Sequence, residues 1–276
     1  MTTTPTPSLP LDERPGQRLT LRGLEEVDVP VRISQRGNGP DVVFLHGLVG
    51  LNDHWELVID RVMDVVRSTA LEVPLLSLTG DDCSIDGVTK LTAEFLSRHL
   101  GRPCVLVGNS FGGHVALKIA IEYPHLCSGL VLAGASGLIE KSMVADVQSR
   151  PTRPWLEKKI GELFFDRSKM AQSDVDRAFG ELNDRPKARA MVKLSRSARR
   201  NHLGDEIHRI KVPTLVVWGR QDIVTPPEAA HEFAAKISGS KLVWFDRCGH
   251  APMIESPDEF ARELGGFVTG IGAGRS

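Results

Sequence analysis

The stretch that decides the fold is Pro103-Cys-Val-Leu-Val-Gly-Asn-Ser-Phe-Gly-Gly113, with the Ala-rich run that follows it as far as Tyr123. Residues 103–107 are short and almost continuously apolar, the pattern of a strand covered on both faces. Residues 111–123 read as a helix that stops at Pro124, since proline lacks the backbone donor a helix needs. Between them Gly108-Asn-Ser-Phe-Gly112 matches G-x-S-x-G. A strand that turns sharply into a helix leaves no room for side chains beside the turn, and glycine supplies that room. The same pentapeptide could be a plain glycine-rich turn packed on its own backbone. Its place after a strand and before a helix favours a serine held out as a nucleophile.

Working outward, apolar runs at 29–33, 41–45, 71–78, 129–133, 213–218 and 241–245 also read as strands. Helical periodicity lies between them at 55–66, 88–100, 228–237 and 257–267. Strands alternating with helices predict an α/β fold with a mostly parallel central sheet flanked by helices. Residues 138–210 break the alternation: they hold no strand-like run, and they read as a helical cap inserted over the strand ends. The expected organisation is a flexible tail and lead-in at 1–26, core at 27–137, cap at 138–210 and core again at 211–276.

Composition narrows the class without naming a function. The chain has 276 residues, 41% hydrophobic and 25% charged, as ordinary globular proteins do. Lys and Arg total 34 against 35 Asp and Glu, a formal net charge of -1. Such balance argues against a nucleic-acid binder. No run approaches the roughly 18 apolar residues of a membrane span, and the Thr/Pro-rich start does not resemble a secretory signal. Cys83, Cys104, Cys127 and Cys248 form no zinc or disulfide spacing. The expected setting is cytoplasmic, with a small-molecule substrate, no nucleic-acid or membrane partner, and a monomer or homodimer.

A serine hydroxyl needs a base at neutral pH. His250, in Cys248-Gly-His-Ala-Pro252, follows the last strand and is the expected base. His46 competes, but a histidine ending an early strand before glycine reads as a turn residue, and helix geometry carries His114 away from Ser110. The base needs an orienting acid. Asp222, in Gly219-Arg-Gln-Asp222, follows the strand at 213–218, where such folds assemble their sites. Gly134-Ala-Ser-Gly137 offers no carboxylate, and Asp246 reads as a turn residue. The order Ser110, Asp222, His250 is that of a nucleophile-elbow hydrolase. A developing oxyanion needs preorganised donors; the backbone N–H groups of Phe111 and of Leu48, in His46-Gly-Leu-Val-Gly50, are the candidates.

These motifs, with Thr225-Pro226, resemble the α/β-hydrolase-fold serine hydrolases over about residues 27–269. The resemblance implies an acyl-enzyme mechanism without metal or organic cofactor, in a carboxylesterase acting on small esters. Gly108-Asn-Ser-Phe-Gly-Gly113 also resembles the meta-cleavage-product hydrolases, which split carbon–carbon bonds in dienoates; Ala251 departs from their aromatic residue after the histidine. A non-catalytic receptor on the same fold is a third reading. Substrate-binding candidates are His46, Asn109, Trp155, Phe164, Arg189 and Lys193. Arg189, Lys193, Arg196 and Arg200 share one helical face, which reads first as solvated surface and second as an anion-binding face. The cap aromatics read as pocket lining or as the cap's own small core.

Overall fold

The computed structural model describes residues 16–48, 52–139 and 151–273. Their strands are β1 (Gln17–Arg22), β2 (Asp28–Arg36), β3 (Asp41–Leu45), β4 (Arg67–Glu72), β5 (Cys104–Asn109), β6 (Cys127–Ala133), β7 (Thr214–Gly219) and β8 (Lys241–Phe245). They form one eight-stranded sheet in the order β1-β2-β4-β3-β5-β6-β7-β8. β2 is antiparallel to both β1 and β4, and every other neighbouring pair is parallel.

The helices are α1 (Glu56–Val62), α2 (Ile85–Phe95), α3 (Phe111–Glu122), α4 (Arg153–Gly161), α5 (Gln172–Asn183), α6 (Arg185–Arg200), α7 (Pro227–Lys236), α8 (Pro252–Glu255) and α9 (Pro257–Ala273). Every residue of β3, β5, β6 and β7 is buried. The period of two in a strand explains how: alternate side chains enter opposite layers. Leu106, Leu132 and Trp218 join the layer of α2, α3 and α7, where Leu91, Val115 and Phe233 meet them. Val105, Val107 and Val131 face the layer of α1 and α9. There the buried Trp55 ring lies 5.3 Å from Phe44 and 5.6 Å from Phe260.

Two sequence expectations need correction. The strand expected at 71–78 lies earlier, at Arg67–Glu72, and Leu75–Ser77 is a 3-10 turn. β4 is buried yet carries Ser68, Thr69 and Glu72, so it shows no apolar run; Gln35 satisfies Thr69 by donating to its Oγ1 at 3.0 Å. Pro74 then interrupts the apolar stretch that drew attention. Within the expected flexible lead-in, residues 17–22 form β1. Its signal is only Leu19 and Leu21 alternating with polar residues, and the partners that order it, Val31 and Val29, lie on β2. Residues 1–15 of that lead-in fall outside the described residues.

Between β6 and β7 the described residues hold helices α4, α5 and α6 and no strand. α6 packs an inward stripe of Ala190, Met191, Leu194, Ser195 and Ala198. It is tied to the core where Ser197 Oγ accepts from the Ile85 N–H at 3.0 Å and where Lys193 donates to the Gly80 carbonyl.

Candidate active site

Ser110 stands at the junction of β5 and α3 with φ 52° and ψ -118°. A non-glycine residue at positive φ costs about 1–3 kcal/mol and persists only where its surroundings enforce it. The enforcement is visible. The Ser110 carbonyl accepts from the N–H groups of His114 and Ser136, each at 3.1 Å, while its own N–H donates to Ala133 at 3.2 Å. Gly112 passes so close to the Leu45 carbonyl that any Cβ would overlap it. The turn therefore has to be glycine-flanked, for the steric reason the sequence implied.

The N–H of Phe111 opens α3, where helix geometry leaves first-turn donors without intrahelical acceptors. Across from it, the loop after β3 brings Gly47 against the elbow: a Cβ built there would sit 3.4 Å from the Ser110 Cβ. Leu48 is the next residue and is half-buried. Val49 and Gly50 of the same motif lie outside the described residues.

His250 and Asp222 are both buried, and His250 Nδ1 lies 2.8 Å from Asp222 Oδ2. A carboxylate oxygen can only accept, so Nδ1 carries the proton and Nε2 is left with a lone pair. The other carboxylate oxygen, Oδ1, accepts from the N–H groups of Val224 at 2.8 Å and Thr225 at 3.0 Å. Thr225 Oγ1 lies 2.8 Å from Asp222 Oδ2 and 3.1 Å from the Gly134 carbonyl. Gly134 has φ +52°, and a Cβ there would sit 3.0 Å from His250 Nδ1. The position considered for an acid is thus filled by a glycine that gives the pair its space.

The substrate-binding candidates divide. The Asn109 amide nitrogen is taken up by the protein: its Nδ2 donates to the carbonyls of Ala133 at 2.8 Å and His250 at 3.0 Å. It ties the histidine loop to the elbow, a support role the sequence reading did not include. Arg189 and Lys193 are exposed on α6, and the Lys193 ammonium is taken up by the Gly80 carbonyl. Phe164 is buried with Leu156, Ile160 and Val175, and the half-buried Trp155 packs against the same cluster. Asp246 is an exposed partner of Arg220 at 2.7 Å.

His46 does reach a cavity. Its Nδ1–H donates to the Gly47 carbonyl at 2.9 Å, and burial lowers its pKa, favouring the neutral ring. The cavity has a volume of about 290 Å³ and is lined in part by His46, Leu48, Val73, Leu75, Arg177 and Met191. Arg177, on α5, donates to Asp53 at 2.9 Å and to Asp174 at 2.6 Å. Lys187, also on its wall, pairs with Glu181 at 3.0 Å.

Sequence reasoning missed Thr225 as a support, Asn109 as a tie and Glu255 altogether. Thr225 had a signal in its place three residues after Asp222. Glu255, half-buried at the end of α8, accepts from three backbone N–H groups: Gly249 at 2.7 Å, and Phe165 and Asp166 at 3.0 Å each. Burial pushes its pKa up. Nothing local to Glu255 announces partners ninety residues away.

Residues 42–263 match the alpha/beta hydrolase family. The chain belongs to that family. This α/β-hydrolase is 27% identical over 252 residues to the pimeloyl-(acyl-carrier protein) methyl ester esterase of Nitrosomonas europaea, covering 83% of this chain and 96% of that one. It is 26% identical to the 2-hydroxy-6-oxo-6-(2'-aminophenyl)hexa-2,4-dienoic acid hydrolase of Metapseudomonas resinovorans, over 87% of this chain and 88% of the other. Among solved structures it resembles MGS-MChE2, an alpha/beta hydrolase enzyme from the metagenome of lagoon sediments at Mar Chica, Morocco. That likeness has a TM-score of 0.69 and 29% identity, and covers 85% of this chain and 92% of the other. No helix among the described residues is long and apolar enough to cross a membrane.

Proposed function

We propose that this α/β-hydrolase is a serine carboxylesterase acting on small, uncharged esters. Ser110 is the nucleophile, His250 the general base and acid, and Asp222 the residue that orients His250. Ser110 Oγ attacks the ester carbonyl carbon as His250 Nε2 takes its proton. The tetrahedral oxyanion faces the N–H groups of Phe111 and Leu48. The C–O bond to the alcohol then breaks, and His250 returns its proton to the leaving oxygen. Water, deprotonated by His250, releases the acid from the acyl-enzyme and restores Ser110.

The observation that carries this reading is the strained Ser110 backbone at φ 52°. Strain of this kind clusters where a side chain has to be held out for reaction. The buried Asp222–His250 hydrogen bond supports it, as does a relative named for methyl ester hydrolysis. Helices α4–α6 act in this reading as the cap over the strand ends.

The carbon–carbon hydrolase reading has a named relative too. It wants a cation ready for a substrate carboxylate. Arg177, on the wall of the cavity beside His46 and Leu48, is already held by Asp53 and Asp174, which supports a neutral substrate over an acidic one bound there. Two measurements test the proposal. A fluorophosphonate probe should label the wild type and not Ser110→Ala, and that variant should lose at least ~10³-fold in kcat on p-nitrophenyl acetate. Full activity in Ser110→Ala would overturn the mechanism. Turnover of a coloured dienoate in preference to the ester would overturn the substrate class.

A further inference from the structure

Glu255 occupies an unusual place for a carboxylate near a hydrolase centre. Both of its oxygens accept backbone N–H groups. One oxygen accepts the Gly249 N–H at 2.7 Å, from the residue directly before His250. The other accepts the N–H groups of Phe165 and Asp166, both at 3.0 Å, from the turn after α4. The two segments are joined again beside it: the His250 N–H donates to the Leu163 carbonyl at 2.8 Å. The Arg247 guanidinium lies over the Phe165 ring, 5.6 Å from its centroid. The loop carrying His250 is therefore stitched to residues 163–166 on one side, while Asn109 holds its carbonyl from the elbow on the other.

We propose that Glu255 is a positioning residue that sets His250 between Asp222 and Ser110 by clamping its loop to the turn after α4. The proposal rests on the serine hydrolase reading and adds a residue to it. A carboxylate suits the task because it has two acceptor oxygens and no proton to misplace. Its three N–H bonds are charge-assisted, which makes them stronger than bonds to a neutral acceptor. A reaction that needs its groups aligned pays heavily for small errors: a displacement of about 1 Å can cost about 100-fold in rate.

The side chain's two demands separate the variants. Glu255→Gln keeps the reach but has one acceptor oxygen, so it can serve the Gly249 side or the 165–166 side and not both. Glu255→Ala serves neither. On p-nitrophenyl acetate, whose acyl group is too short to need the cap, kcat should fall about 10-fold in Glu255→Gln and about 100-fold in Glu255→Ala. KM should stay within about 3-fold in both. The rate of fluorophosphonate labelling of Ser110 should fall in parallel. The far-downfield proton signal of the His250–Asp222 hydrogen bond should broaden in Glu255→Gln, whose near-isosteric side chain keeps the fold comparable by thermal melting.

Unchanged kcat and labelling rate in Glu255→Gln would overturn the proposal, and so would a raised KM with kcat intact, the signature of a residue that only shapes the cap. Wild-type protein that neither labels nor hydrolyses the ester would mark failure of the hydrolase reading itself, which is distinguishable because it needs no variant at Glu255.

Discussion

Acid should weaken this fold through one buried histidine, His114. It sits on α3, the helix that begins directly after Ser110, and is fully buried. Nε2 lies 3.4 Å from Asn201 Oδ1, and Nδ1 has no hydrogen-bond partner among the described residues. Burial lowers its pKa from 6.5 to about 4, partly offset by the Asn201 side chain. The unfolded chain takes up the proton near 6.5 and the folded chain only near 4. Between those values the unfolded state binds more protons, so stability is fully present above the unfolded pKa and is lost as pH falls toward the folded one. The shift corresponds to about 3 kcal/mol at pH 4 and about 2 kcal/mol by pH 5, a sizeable part of a typical total of about 5–15 kcal/mol. Urea unfolding of wild type and His114→Gln across about pH 7.5 to 4.5 isolates the effect, since glutamine can still bond Asn201 and does not titrate. His46, also a buried histidine with a lowered pKa, is common to both proteins and cancels in the difference. The stability of wild type relative to the variant should shrink by about 2 kcal/mol between pH 7.5 and 5. Parallel pH profiles would refute the assignment.

Other perturbations test the supports of the site. Gly134→Ala puts a Cβ at positive φ, 3.0 Å from His250 Nδ1; kcat on a short ester should fall about 10- to 100-fold, with KM little changed in steady-state assays. Arg177→Met strands Asp53 and leaves Asp174 with His54 alone, the Arg and both Asp side chains being less than a third exposed. Denaturant unfolding should show a loss of about 3 kcal/mol. Adding Asp53→Asn should recover part of that loss, because the second change removes an unpaired charge; additive losses would show that the pair is not coupled.

What was legible in the sequence had local chemistry behind it. Ser110, Asp222 and His250 each follow a strand, and glycine at 108 and 112 announces the elbow within five residues. The parallel core was readable because β3 and β5 through β7 are buried on both faces and so nearly all apolar. β4 was misplaced because it is buried yet carries Ser68, Thr69 and Glu72, with Gln35 pairing the Thr69 hydroxyl from β2. β1 was missed because a two-leucine alternation means little until β2 pairs with it. Asn109 was assigned to substrate because a polar residue beside a nucleophile invites that reading. Only the fold shows that its amide spans from β6 to the His250 loop. Glu255 is the same case, with backbone partners at Gly249, Phe165 and Asp166. These are side chains bonding distant backbone, and residue type and spacing do not encode such partners.

The cationic helix shows how burial and charge together decide a reading that composition leaves open. Seven Lys and Arg residues and no acid occupy positions 185–200, with the near-neutral total masking the local excess. Either the cations face the substrate or they face water. α6 resolves this by burying its apolar stripe, Ala190, Met191, Leu194 and Ala198, and leaving Arg189, Lys193, Arg196 and Arg200 exposed. Turning the helix would place guanidinium groups in the stripe's position at a cost of several kcal/mol per ion unless carboxylates met them there. Arg177 is the contrasting case. It stands in the cavity wall because Asp174, one turn earlier on α5, and Asp53, from the core, are both within ion-pair distance. Its charge is matched before any substrate arrives. Under the proposed function, an acidic substrate bound in this cavity would have to displace one of these carboxylates to use Arg177, whereas a neutral ester leaves the pairing intact.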